Sequence, residues 1–239
     1  AADEIVAHIR DHNLVVDWIL ETHPHADHIT AAPYLKEQLG GRTGIGQGVC
    51  QVQKNFKAVF NLGDEFTTDG SQFDHLFAEG ERFAFGAASG LVWSTPGHTP
   101  ACICYLIEDA VFVGDTIFMP DFGSARCDFP DGDARTLFHS VKRLLALPPE
   151  TRMFMCHDYG PGGRELRWLT SVAEQRANNK HIKDGVDEEE FVAMRTARDN
   201  ELDMPALLLP SVQVNIRGGQ FPPAEENGVS YLKMPLNTV

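Results

Sequence analysis

The stretch Thr22-His23-Pro24-His25-Ala26-Asp27-His28 constrains this chain more than any other. It follows directly on Leu14-Val15-Val16-Asp17-Trp18-Ile19-Leu20, whose apolar, β-branched and aromatic content predicts a buried strand over 14–20. Neutral imidazole and carboxylate are ligands of zinc, iron and manganese, so three imidazoles and a carboxylate crowded into six residues point to a metal. The fold therefore has to deliver a strand end to a polar edge. Further donors stand where other predicted strands end. His98 lies in Pro96-Gly97-His98-Thr99 after a strand ending at Thr95, Asp115 in Gly114-Asp115-Thr116 after a strand over 110–113, and His157 in His157-Asp158-Tyr159 after a strand over 152–156. Any one of these alone reads as a turn, a cap or a solvated side chain. Together they form a constellation, and a structural metal site closed by four ligands does not need so many donors. An open, catalytic centre with one or two ions is the natural use. His8, His12, His75, His139 and His181 stand apart from it and read as solvated.

The other elements follow from periodicity and capping. Helices are predicted over 3–12, 29–39, 49–58 and 133–147, the last through Leu137, Val141, Leu144 and Leu145 with Pro148-Pro149 as its stop. Strands are predicted at 83–85 and 103–107 besides those that end in donors, of which the one ending at Thr95 starts at Leu91. A helical stretch near 164–177, an acidic helix start at Asp187-Glu188-Glu189-Glu190 and a Pro/Gly-rich tail complete the chain. With 239 residues and 43% hydrophobic content, one core is expected: a single domain over 1–239, in which 160–239 forms a C-terminal extension. Lys+Arg 20 against Asp+Glu 34 leave a net charge of −14, which argues against nucleic acid and anionic membranes as partners. Five cysteines without a C-x-x-C pair fit a reducing compartment, and the absence of a signal-peptide pattern or an apolar span predicts a cytoplasmic protein.

The cluster, Gly97-His98-Thr99, Gly114-Asp115-Thr116 and His157 resemble the four metal-binding motifs of the metallo-β-lactamase superfamily. The resemblance spans most of the chain. It implies an α+β fold, a four-layer αβ/βα sandwich with the metal at one edge. Relatives carry strands of the first sheet ahead of the first helix; this sequence starts at that helix, and if those strands are absent a sheet edge is expected to be exposed. That edge and an apolar tail suit a homodimer. Within the superfamily, Arg126-Cys127-Asp128-Phe129, the run from Thr136 to Val141, His157-Asp158-Tyr159, Glu190-Phe191-Val192 and Asn215-Ile216-Arg217-Gly218 resemble segments of persulfide dioxygenases, bacterial β-lactamase-like hydrolases among them.

That narrower resemblance implies one Fe(II) held by His23, His98 and Asp115, with glutathione persulfide and O₂ as substrates and sulfite and glutathione as products. His25, Asp27, His28 and His157 then orient ligands or handle protons, Asp27, His28 and Tyr159 being the catalytic candidates. Arg126, Tyr159 and Arg217 are candidates for binding glutathione. Cys127, beside Arg126, reads as a structural or incidental thiol rather than a reactive one. The rival is a dizinc thioester hydrolase of the glyoxalase II type, in which the same seven residues hold two zinc ions. A true β-lactamase would carry an export signal, and an RNA nuclease of the superfamily would want a basic surface. Neither feature is found.

Overall fold

The computed structural model describes residues 1–236. They form two compact units, one from 1–77 with 203–236 and the other from 78–202.

The first unit contains a parallel sheet in the order β1 (Trp18–Leu20), β2 (Arg42–Gly46), β3 (His75–Phe77), with helices α1 (Ala2–Asp11), α2 (Ala32–Leu39) and α3 (Val49–Val59). β1 is shorter than the predicted 14–20: Leu14 and Val15 are exposed, and pairing with β2 begins only at Trp18. β2 escaped prediction because Arg42-Thr43-Gly44-Ile45-Gly46 is poor in β-formers. Its glycine has a packing reason, since a Cβ on Gly44 would meet the Phe77 ring of β3 at 2.5 Å. α2 starts at Ala32 rather than 29. The Thr30 hydroxyl accepts the Ala32 N–H at 3.0 Å, and Pro33 sits in the first turn. The tail also holds a helix that the sequence reading left out, α7 (Leu208–Asn215), whose Pro210 falls in a first turn, where a proline is tolerated.

The second unit contains a six-stranded sheet in sequential order: β4 (Arg82–Phe85), β5 (Ala88–Ser94), β6 (Ile103–Ile107), β7 (Ala110–Phe112), β8 (Arg152–Phe154) and β9 (Leu169–Ser171). All neighbours are antiparallel except β7 and β8, which need a crossover and take it through α4 (Ala134–Leu145). Leu137, Val141 and Leu144 of α4 are fully buried, in one core cluster with Val111 of β7 and Met153 of β8. The predicted helix at 164–177 divides into β9 and α5 (Val172–Asn178). Ser171 caps α5 by accepting the Glu174 N–H at 3.1 Å. α6 (Glu188–Asp199) is capped by Asp187.

His181 corrects an expectation. It is buried, and its Nδ1 accepts the Ser124 backbone N–H at 2.9 Å. Burial, reinforced by the charges of Arg195, Lys180 and Arg198, lowers its pKa to about 3. The unfolded imidazole titrates near 6.5, so this group stabilises the fold fully above that pH and loses its contribution as pH falls from 6.5 towards 3. Between pH 7 and pH 5 its share of the loss is about 2 kcal/mol. Urea titrations at the two pH values should show that loss in the wild type and a flatter pH dependence in His181→Asn, which keeps an acceptor but cannot be protonated in this range.

Candidate metal centre

In the first unit, β1 ends at Leu20 and the chain turns at once into the histidine cluster. His23 and His25 are buried, with 2% and 5% of their surface exposed, whereas Asp27 and His28 are open to solvent on one side. Ring centroids of His23 and His25 lie 4.3 Å apart, as do those of His25 and His28. Each imidazole is oriented through one nitrogen. His23 Nδ1 contacts the Thr22 hydroxyl at 3.1 Å, His28 Nδ1 contacts Asp27 Oδ1 at 3.1 Å, and His25 Nε2 contacts the Glu21 carboxylate at 3.2 Å. Thr30 in turn donates its hydroxyl to Glu21.

The other nitrogen of His25, Nδ1, is buried with no hydrogen-bond partner among the described residues. Burying such an atom costs free energy unless something binds it, and a cation is what a neutral imidazole nitrogen accepts. The loop itself hangs on Asn215 of α7. Its amide donates to the carbonyls of His25 and His28, both at 2.7 Å, and its Oδ1 accepts the Thr30 N–H at 3.0 Å. The sequence carried no sign of this role, which depends on residues 185 and more positions apart.

In the second unit, His98 follows β5, Asp115 follows β7 and His157 follows β8. The turn into His98 is packed on the first turn of α4. Gly97 takes φ +135°, its carbonyl accepts the Asp133 N–H, and a Cβ there would lie 2.4 Å from the Leu137 backbone. Only glycine fits. Ser140 donates to the Pro96 carbonyl at 2.6 Å and holds the same turn from the helix side. His98 gives its Nδ1–H to the Arg126 carbonyl at 2.7 Å, which turns Nε2 toward Asp115.

That nitrogen lies 4.0 Å from Asp115 Oδ2, and His157 Nε2 lies 3.5 Å from Asp115 Oδ1. These separations exceed good hydrogen bonds and fall in the range of roughly 3–4 Å expected between two ligands of one ion at bond lengths near 2.0–2.2 Å. The donor sets fit a metal. Cys156 brings its sulfur within 4.8 Å of donor atoms of Asp115 and His157. Beyond His157, the loop is organised by Asp158, whose buried carboxylate accepts from Arg164 and from the backbone N–H groups of Gly160 and Arg167. The Arg164 hydrogen bonds, helped by those amides, overcome burial and pull Asp158 down to about 2.

The metal-binding signature extends over most of the chain, and residues 3–157 match the family model of the metallo-beta-lactamase superfamily. The chain belongs to that superfamily. Its mixed α+β architecture, with two sheets and seven α-helices among the described residues, is that of the family. Among its relatives, Glyoxylase B2 of Dictyostelium discoideum is 56% identical over 99% of this chain and 82% of its own. The mitochondrial persulfide dioxygenase ETHE1 of mouse is 30% identical over 90% of this chain and 75% of its own. The crystal structure of ETHE1 from Myxococcus xanthus superposes with a TM-score of 0.73 at 29% identity, covering 91% of this chain and 84% of that one.

Of the residues assigned to glutathione, Arg126 has its guanidinium clamped on Asp128, Nε to Oδ1 at 2.6 Å and Nη2 to Oδ2 at 2.5 Å. Tyr159 is exposed and stacks on Phe122, ring centroids 4.2 Å apart. Arg217, in the first unit, lies half-buried with its guanidinium 4.5 Å from the Phe66 ring centroid. Cys127 is buried and its thiol is pushed well up, first by burial and then by Asp199, so a resident thiolate is disfavoured.

Proposed function

We propose that this metallo-beta-lactamase superfamily enzyme is a persulfide dioxygenase that oxidises glutathione persulfide with O₂ at one iron held by His23, His98 and Asp115. The observation that carries the reading is the orientation of His98, its Nδ1–H committed to a carbonyl and its Nε2 turned toward the Asp115 carboxylate. With His23 this makes two imidazoles and one carboxylate, a set that leaves about three coordination positions open. Iron held by these residues would supply the redox chemistry that joins the persulfide sulfur to O₂. The balanced reaction consumes one persulfide, one O₂ and one water and yields glutathione, sulfite and two protons. Likeness to mouse persulfide dioxygenase and to the Myxococcus xanthus structure supports it.

The chain's own groups have definite tasks in this scheme. Two protons must leave for each turnover, and the solvent-facing Asp27–His28 pair, in contact at 3.1 Å, is placed to carry them. His157, its Nε2 3.5 Å from Asp115 Oδ1, stands beside that carboxylate as a further donor. Arg126 would have to exchange its Asp128 partner to meet a glutathione carboxylate and Arg217 lies half-buried over Phe66, so of the three candidates the geometry favours the hydroxyl of the exposed Tyr159.

The Nδ1 of His25, without a hydrogen-bond partner among the described residues, favours a second reading, a dizinc thioester hydrolase in which His25, Asp27, His28 and His157 serve a second ion. The name of the Dictyostelium relative points the same way. Metal analysis with an oxygen electrode separates the two. Protein purified without oxygen should contain about one iron per chain and consume O₂ when glutathione persulfide is added. Two zinc ions, with S-lactoylglutathione hydrolysis and no O₂ uptake, would establish the hydrolase instead.

A further inference from the structure

We infer that the buried pair Arg195–Asp199 on α6 is a positioning device for His98, an inference that rests on His98 being a metal ligand. The two side chains are one helical turn apart, only 2% and 8% exposed, with Arg195 Nη2 2.7 Å from Asp199 Oδ1. A buried ion pair is seldom a source of net stability, because desolvating both charges offsets their attraction, and apolar residues of similar volume usually do as well. The pair therefore calls for another explanation, and its contacts provide one.

Each partner reaches past the other to the backbone of a single segment. Asp199 Oδ2 accepts the Cys127 N–H at 2.9 Å, and Arg195 Nη1 donates to the Ser124 carbonyl at 3.3 Å. His181 accepts the Ser124 N–H at 2.9 Å. The segment Ser124-Ala125-Arg126-Cys127 is thus pinned at both ends, and between the pins stands the Arg126 carbonyl that accepts Nδ1–H of His98 at 2.7 Å. Asp199 engages the Cys127 amide, so the identity of the Cys127 side chain is immaterial to this contact.

A carbonyl held in place selects the His98 tautomer with the proton on Nδ1, which keeps Nε2 available to a cation and fixes the ring plane. A loosened carbonyl would let the imidazole turn or exchange tautomers. Apolar residues could fill the same volume but could not hold the peptide groups of Ser124 and Cys127.

The test uses ¹⁵N-histidine NMR on the metal-free protein together with zinc titration. Wild type should give His98 as a single Nδ1–H tautomer and a Cys127 amide strongly protected from exchange. The double variant Arg195→Met with Asp199→Leu, chosen to preserve volume without an unpaired charge, should give a tautomer mixture at His98 and a zinc Kd raised about 10-fold or more. Arg195→Met with Asp199→Asn, which returns an acceptor to Cys127, should recover part of both. Leu144→Ala, a core truncation in α4, should lower the melting temperature without moving either signal.

A folded Met/Leu variant with the wild-type tautomer and zinc Kd would overturn the proposal. So would a wild-type protein whose His98 is already a mixture or whose Cys127 amide exchanges freely, a result that needs no variant to fold. If the wild type keeps the single tautomer and fails to bind zinc or iron, the metal reading falls and the positioning of His98 stands.

Discussion

Asp115→Ala should abolish turnover, lowering it by roughly 10³-fold or more, and the purified variant should contain no stoichiometric metal. Asp115 is the one carboxylate in the proposed primary set, and it is buried with the Nε2 atoms of two histidines at 3.5 and 4.0 Å. Imidazole donors alone leave the charge of a divalent cation uncompensated in a desolvated place. The same reasoning gives a less obvious result for stability. A buried carboxylate carries a desolvation cost, so Asp115→Asn, which keeps the shape and removes the charge, should melt in its metal-free form at or above the wild-type temperature. His25→Ala provides the contrast. Under the single-iron reading it should retain most of the metal, whereas equal metal loss in Asp115→Ala and His25→Ala would indicate two ions. Plasma emission analysis and calorimetry of the metal-free proteins measure both effects.

The positions of the candidate donors were legible in the sequence because they follow strand ends, and strand ends are marked by an abrupt change from apolar to polar residues. His98, Asp115 and His157 each follow a strand of the second sheet, as that change predicts, and the cluster from His23 follows β1. α4 was legible for a similar reason, since one buried stripe at helical spacing carries its packing. What stayed hidden was set by distant partners. β2 lies between β1 and β3 with Gly44 leaving room for the Phe77 ring, although its composition argues against a strand. α7 sits in a tail that reads as irregular, and β9 exists because β8 offers an edge to a segment of helical composition. His181 looks like any other isolated histidine until Ser124 and Gly123 close over it. The groups that hold the candidate donors and their loop, Asn215, Glu21 and the Arg126 carbonyl, act through contacts that no local motif encodes.

Asn215 carries the second large effect. Asn215→Leu is expected to destabilise the protein by about 3 kcal/mol and to weaken metal binding, through the loop rather than through any ligand. Its side chain is 3% exposed and makes three hydrogen bonds to the backbone around the histidine cluster, two as donor and one as acceptor. An apolar replacement leaves the carbonyls of His25 and His28 and the Thr30 N–H without that partner, and each buried polar group left unsatisfied costs about 1–3 kcal/mol, part of which relaxation or entering water would return.

Asn215→Asp makes the argument sharper. A carboxylate could still accept the Thr30 N–H, but it would face the carbonyl oxygens of His25 and His28 with no proton to give them. Only the amide has both kinds of atom in the required places, so Asp should be no better than Leu, despite being nearly isosteric. Urea denaturation of the metal-free proteins reads the stability loss, and zinc titration reads the loosened loop. Should Asn215→Asp match the wild type in both measurements, the two carbonyl contacts would have no energetic weight and the loop would have to be held by Glu21 and Thr30 alone.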